Sequence, residues 1–397
     1  MLKLSSAWSA TRILLLLCTF RVIPLPGADV TVDVTVIYQG WYGVLQTGTF
    51  PMDDVTWQYP PGAALAILAP GLLPFLSYTA AFIVLCLAAD ALVTGLLARR
   101  NPRAAWYWVW AVPLVGPTAY ARYDIFVSAV AVAALLLPRL RGPLIAFGAV
   151  LKVWPALLLA GVRSKAVWLS TAATGVLLLT VFAVTTPGSL AFLTFQRDRG
   201  TEVESLGALP LHFARRFGWW EGEVKLNYGS IEFLGPWVET ISTLSLGLTV
   251  VAFGWLLLWR LRTRIRAGDE RVVFDAAFAA VLLFTVTSRV ISPQYLVWLV
   301  ALAAVCLTLA DSKMVRATRI LLVATGFTQL EFPTYFSEIM GSEWLGIVLI
   351  VIRNGLLVWA AVSACRVLWE ASKAAPEAAG AEPVPGARAE GGVPAGR

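Results

Sequence analysis

The sequence predicts an all-α polytopic membrane protein, a bundle of about ten transmembrane helices with a re-entrant segment and with interfacial helices in its first outer loop. Three observations lead there. Of 397 residues, 58% are hydrophobic and 14% charged, where a soluble globular chain carries roughly 25% charged residues. Mean hydropathy is +0.75, too high for a water-soluble body of this size to cover itself with polar surface. The apolar residues also recur in runs that approach the ~20 needed to cross a bilayer.

The charges orient these runs. Between Arg21 and Arg99 there is no Lys or Arg, whereas Asp29, Asp33, Asp53, Asp54 and Asp90 all fall there. By the positive-inside rule the loop 27–77 belongs outside, and the basic groups Arg99/Arg100/Arg103, Arg260–Arg271 and Lys313/Arg316/Arg319 belong inside. The expected crossings are 7–26, 78–98, 104–119, 124–138, 166–186, 237–259, 272–287, 293–310, 315–331 and 343–365, with both termini cytoplasmic. Residues 61–76 read as an interfacial helix opened by Pro60 and Pro61, since proline is tolerated in a first turn. Residues 143–162 lie between Arg139/Arg141 and Arg163/Lys165, so they should enter and return, broken near Lys152–Pro155. The membrane domain is thus 1–372, with long outer loops at 27–77 and 187–236. Residues 373–397, rich in Ala, Pro, Gly and Glu, read as a disordered cytoplasmic tail. The first apolar run lacks a small-residue cleavage site and reads as an anchor rather than a signal peptide.

Simple counts restrict the chemistry. His212 is the one histidine, and Cys18, Cys86, Cys306 and Cys365 are scattered through apolar stretches. Serine–histidine triads and multi-histidine metal sites are therefore excluded, and the cysteines read as small core residues. Acid–base work falls to carboxylates. The net charge of +7 reads as basic cytoplasmic loops, not as a nucleic-acid surface.

Those carboxylates concentrate in the outer loops. Ile37, Trp41, Val44 and Leu45 recur at helical spacing after Asp33, which stands at the natural N-cap, and Gly48 can end the helix. Asp33 could serve only as that cap, or as a base near the mouth of the first crossing. Intramembrane charges mark further positions: Lys152 lies in the re-entrant segment, where a buried cation is costly and so usually functional. Asp90 and Asp275 could pair with basic groups near the inner face, and Arg353–Asn354 has no evident partner. Arg122 could pair locally with Asp124; Arg197 and Arg199 could pair with Asp198, Glu202 and Glu204. Arg289 could contact a phosphate or snorkel to the interface. His212 reads as a surface or packing residue. Most of the 17 tryptophans fall near predicted boundaries, as an aromatic belt requires. Trp41, Trp57 and Trp154 do not.

Asp33, Trp41, Leu45, Gly48, Pro51, Asp54 and Tyr59-Pro60-Pro61 resemble the first loop of the GT-C glycosyltransferases, most of all family 87, the polyprenyl-phosphate-mannose-dependent mannosyltransferases of actinobacterial type. Further stretches match in order: Arg122-Tyr-Asp124 opening a helix, Leu151-Lys-Val-Trp-Pro155, Arg197-Asp-Arg-Gly-Thr-Glu-Val-Glu-Ser205 and Ser292-Pro-Gln-Tyr-Leu-Val-Trp298. The resemblance runs from about residue 29 to 300. Ile37 and Met52 stand where the family tends to have Tyr, and Gln58 where it tends to have Glu; these departures bear on the acceptor more than on the reaction.

The resemblance implies a GT-C-like bundle and inverting transfer of a sugar, mannose by this likeness, from a polyprenyl-phosphate donor to a lipid or glycan hydroxyl outside the plasma membrane. It implies Asp33 as general base, with Asp54 as the next candidate. Arg122, Lys152, Arg197, Arg199 and Arg289 would meet the donor phosphate, because guanidinium forks bind two oxygens at once. Trp41, Tyr59, Asp124, Glu204, Gln294 and Tyr295 would contact sugar or acceptor. No cofactor or metal is expected, since side-chain cations can neutralise the departing phosphate. The competing class is a transporter or flippase of a lipid-linked sugar. It expects midplane charge and short outer loops, whereas long structured loops favour an enzyme.

Overall fold

The computed structural model describes residues 2–195, 199–263 and 269–374. It is mainly helical, and each stretch expected to cross the bilayer carries a helix. The chain opens with α1 (Leu2–Thr19), and the first loop holds α2 (Gln39–Gln46) and α3 (Ala63–Leu68). Next come α4 (Tyr78–Arg100), α5 (Pro102–Val115), α6 (Asp124–Leu136), α7 (Arg141–Leu151) and α8 (Lys165–Thr185). The second loop contains α9 (Phe192–Phe195) and α10 (Leu209–Arg216), and the chain closes with α11 (Val238–Arg262), α12 (Glu270–Thr287), α13 (Tyr295–Cys306), α14 (Val315–Gln329), α15 (Phe336–Met340) and α16 (Trp344–Ala374).

Among the described residues α4, α8, α11 and α16 are long and apolar enough to span alone, or five spans if the bent pair of α6 with 138–151, folded by 111°, counts as one. Length and composition thus support four to five of the expected crossings. Others are shorter: α13 is a helix of 12 residues and so only ~18 Å long. It is encased in protein, with every residue from Leu296 to Cys306 buried. At the opposite extreme, α8 has no buried residue and presents its apolar length outward.

One buried ion pair inside the bundle is fully engaged. Arg12 of α1 grips Asp90 of α4 through two bonds of 2.6 and 2.9 Å, and Trp8, Trp108 and Tyr120 donate to the same carboxylate. Complete satisfaction of this kind is what makes a buried ion pair tolerable. It also gives Asp90 the basic partner expected for it. Asp275 is buried without an ion pair among the described residues.

The expected break in the re-entrant segment is present. Helix α7 stops where Lys152 turns extended (φ −159, ψ 129), and a 3-10 run, Trp154–Gly161, follows with Pro155 in its first turn. The chain of the first loop docks against this break. Gly62 donates its N–H to the Val150 carbonyl at 3.0 Å, and a Cβ there would sit 2.7 Å from that oxygen, so only glycine allows the approach.

Three expectations for the loops are corrected. The helix after Asp33 begins as a π-helical stretch, Asp33–Tyr38, before α2, and its buried stripe is Val34, Tyr38, Trp41 and Leu45, not Ile37 and Val44. Asp33 does not cap it: the position before the helix is Val32, with no side-chain cap. Gly48 does take the left-handed conformation just past the end, at φ +85. The fold is also not purely α. A three-stranded antiparallel sheet forms in the second loop, ordered β1 (Thr201–Glu202), β3 (Ser230–Leu234), β2 (Glu223–Asn227). Its hairpin turns at Tyr228 and Gly229, both with positive φ (46 and 79), the signature of a two-residue turn that matches strand twist. Of the two readings of His212, surface or packing, the structure bears out packing: it is buried, with Nε2 2.7 Å from the Val203 carbonyl and Nδ1 3.0 Å from Ser342. Residues 375–397, most of the expected tail, lie outside the described residues, and α16 runs through residues 373 and 374.

Candidate active site

The break after α7 positions one cation with unusual care. Lys152 Nζ donates to Asp124 Oδ1 at 2.7 Å, and the same oxygen accepts the Trp298 indole at 2.6 Å. Four rings surround the ammonium, with centroids at 4.9 Å (Trp298), 5.2 Å (Tyr123), 5.4 Å (Tyr59) and 5.6 Å (Tyr295). Ring faces replace part of the hydration a buried ammonium loses. Asp124 is held by the first turn of α6, Trp298 and Tyr295 by that of α13, and Tyr59 by the docked first loop. Tyr295 stacks on Trp298 at 4.0 Å, and Trp298 on Trp154 at 5.2 Å.

A second pair lies near this aromatic layer. Arg122 Nε contacts Asp33 Oδ2 at 2.8 Å, and Arg122 Nη1 donates to the carbonyls of Val30 and Ala121. The alternative of a local Arg122–Asp124 pair is thereby corrected: each takes a partner distant in sequence. Asp33 keeps 27% of its side chain exposed, against 2% for Asp124. Burial pushes the Tyr59 hydroxyl well above its ordinary range, and the charges of Asp33 and Asp124 add to the shift, so Tyr59 lies near both pairs.

Next to Lys152 opens a cavity of about 410 Å³. Its polar wall includes Tyr59, Lys152, Arg199, Arg289, Gln294 and Tyr295, and its apolar wall includes Phe192, Leu193, Leu246 and Phe284. Among the described residues three cations line it and no carboxylate does. Arg199 reaches it while donating to Ser230 (2.7 Å) and Glu232 (3.4 Å), not to the neighbouring acids expected for it. Arg289 donates to Ser242 at 3.1 Å. Glu202 fixes the segment that carries Arg289 and Gln294. Its carboxylate accepts from the Ile291 N–H at 2.6 Å and the Ser292 hydroxyl at 2.8 Å, and its own N–H bonds the Arg289 carbonyl at 3.0 Å.

The cavity thus gathers six of the residues that the resemblance assigned to the site, and Trp154 besides. Others lie elsewhere. Trp41 is buried in an aromatic cluster with Tyr38, Trp57 and Tyr59 and donates to Asp54 at 2.8 Å. Asp54 also accepts from the N–H and hydroxyl of Thr56, at 2.9 and 2.5 Å. Burial alone would raise the Asp54 carboxyl, but these bonds outweigh it and hold the group below its ordinary value. Glu204 is buried away from the cavity, and burial together with the charge of Glu202 pushes its carboxyl well up. The Glu204 carbonyl accepts from Arg353 at 3.0 Å and Asn354 at 3.3 Å, while Arg353 also pairs with Glu331 at 2.8 Å. Those are the partners the sequence did not reveal for Arg353. Arg197 lies outside the described residues. Sequence reading missed Tyr123, Trp298, Phe192 and Tyr228; Trp298 closed a quoted motif, but nothing marked it as the second donor to Asp124.

The profile of glycosyltransferase family 87 matches residues 57–293, more than half of the chain. The chain belongs to glycosyltransferase family 87. No curated protein and no solved structure matches it. The family match includes Lys152, Asp124, Arg199, Arg289 and the whole second loop, and it begins after Asp33, Trp41 and Asp54. Membership makes the chain a glycosyltransferase, needing a sugar donor and an acceptor.

Proposed function

We propose that this family 87 enzyme moves a sugar, mannose by its motif resemblance, from a polyprenyl-phosphate donor to a hydroxyl of a lipid or glycan acceptor on the outer face of the plasma membrane. The observation that carries this reading is the cavity itself. Lys152, Arg199 and Arg289 offer positive charge at one wall, and Phe192, Leu193, Leu246 and Phe284 offer an apolar one. An amphiphile with a phosphate head and a hydrocarbon chain has those two requirements. Phe192 and Leu193 follow the lipid-facing α8, so a prenyl chain could leave the cavity sideways into the bilayer.

In the proposed reaction the acceptor hydroxyl attacks the anomeric carbon, the bond from that carbon to the phosphate oxygen breaks, and the proton passes to Asp33. The guanidinium and ammonium groups take the charge that builds on the leaving phosphate. Asp33 is not among the residues that line the wall of Lys152, Arg199 and Arg289, and an in-line displacement asks for nucleophile and leaving group on opposite sides. Its partial exposure leaves the carboxylate open to an acceptor.

The test is incubation of purified protein with a labelled polyprenyl-phosphate sugar and a membrane lipid extract. Label should pass to a new product in the wild type and fall at least tenfold with Arg289→Gln or Lys152→Gln. Release of label only as free sugar, or no reaction with any prenyl-linked sugar, would contradict the donor assignment. For orientation, cysteine at exposed Glu223 should react with an impermeant reagent in intact cells, and cysteine at exposed Lys313 should not.

A further inference from the structure

A second groove, of about 900 Å³, lies outside the donor cavity among α11, α12 and α16. One stripe of α16 forms its wall: Val358, Ala361, Val362, Cys365 and Trp369, then Arg366, Glu370 and Lys373 at the same face. The spacing follows successive helical turns, so the stripe is continuous, and its 15-residue rise covers ~22 Å. Opposite it stand Leu248, Val251, Ala252 and Trp255 of α11. The lining is apolar along most of its length and becomes charged only at the end of α16. There Arg262 also stacks on Trp369, at 5.2 Å. Three cations against Glu370 leave that end net positive. Among the described residues neither Arg366 nor Lys373 makes an ion pair, although Glu370 lies one turn from each.

We propose that this groove is a binding site for one anionic diacyl phospholipid, with acyl chain along the α11–α16 seam and phosphate headgroup at Arg366 and Lys373. The length exceeds the ~15 Å of one hydrocarbon leaflet, so a chain from a single leaflet fits within it. A membrane helix or a second copy of this chain would match the apolar stretch and leave the cationic end without a counter-charge. The groove backs directly onto the donor cavity: Thr249, which lines the cavity, donates to Thr287, which lines the groove, at 3.0 Å. A seated lipid therefore packs the far side of the same two helices.

The full chain should be reconstituted in nanodiscs of equal phosphatidylglycerol and phosphatidylcholine, extracted into mild detergent, and the retained lipid identified by native mass spectrometry. One phosphatidylglycerol per chain should be retained, in about tenfold or greater preference over phosphatidylcholine, since each cation near a lipid surface contributes appreciably. The double variant Arg366→Gln/Lys373→Gln should keep its melting temperature and lose the preference. Val362→Trp, which fills the groove, should lose the bound lipid of either kind. Equal retention of both lipids, a preference the double variant leaves intact, a dimer that Val362→Trp abolishes, or displacement of phosphatidylglycerol by equimolar polyprenyl phosphate would each overturn the proposal. None of these readouts depends on sugar transfer, so they stand apart from the donor assignment.

Discussion

Asp33 and Asp54 belong to the same outer loop and have opposite surroundings. Asp54 accepts three hydrogen bonds, from Trp41 and twice from Thr56. Asp33 contacts one charged partner, Arg122, and keeps 27% of its side chain open. A carboxylate saturated with donors is stabilised as the anion and becomes a poorer proton acceptor. Three of its four lone-pair sites are already committed to structural bonds. Asp54 closes its turn; Asp33 is the one of the two still available to an acceptor. Exchanging each for asparagine separates them most sharply. Asp33→Asn should lower turnover by two to four orders of magnitude, the usual contribution of a positioned base, whereas Asp54→Asn should change it by no more than about threefold and mainly lower the melting temperature. The reverse ordering, measured by initial rates on labelled donor, would mean that the base had been misassigned.

The same logic extends to the two ion pairs. Asp124–Lys152 is nearly sealed, at 2% and 12% exposure, and Asp33–Arg122 is more open on its acidic side. Removing the acid of a buried pair leaves its cation stranded, at about 3–5 kcal/mol, and Lys152 and Arg122 are almost equally buried, at 12% and 11% exposure. Arg122 would keep the Val30 and Ala121 carbonyls as acceptors, whereas Lys152 would keep only the ring faces around it among the described residues. Asp124→Asn should therefore destabilise more than Asp33→Asn in a detergent melt. Equal melting temperatures for the two variants would contradict that difference in remaining partners.

The second loop supplies a milder comparison, because its one histidine is purely structural. Burial pulls the His212 imidazole down to about 4 from an ordinary 6.5, against the bond to Val203 that would raise it. The unfolded chain then takes up the proton more readily than the folded one. Stability from this group is complete above 6.5 and is lost as pH falls toward 4, by about 1.4 kcal/mol per unit in that window. His212→Gln, able to keep a bond to Val203, should flatten the acid side of the stability curve. An unchanged slope would assign the acid sensitivity to other groups.

Sequence patterns revealed the helices, the break at Lys152 and the cationic character of the cavity, because apolar runs, proline and isolated intramembrane charge are local signals. They did not reveal the pairings. Arg122 lies two residues from Asp124 yet pairs with Asp33, and Lys152 pairs with Asp124, since tertiary packing and not neighbourhood in the chain decides which charges meet. Asp33 was misjudged as a cap for a related reason: a π-helical start shifts which residue precedes the first turn. The Tyr228-Gly229 hairpin was legible in principle, with alternation on both sides, but the hydropathy of the surrounding spans obscured it. The burial of short helices such as α13 by other protein segments leaves no mark in their own residues.

The most direct measurement is the stereochemistry of the transfer itself. With purified wild-type protein, a polyprenyl-phosphate sugar of defined anomeric configuration and an accepted acceptor, the new glycosidic bond can be assigned by its one-bond carbon–hydrogen coupling in NMR. A single base opposite the leaving phosphate requires a product of inverted configuration, formed by the wild type and lost in Asp33→Asn. A product of retained configuration, or inverted product formed at an undiminished rate by Asp33→Asn, would contradict direct displacement assisted by Asp33.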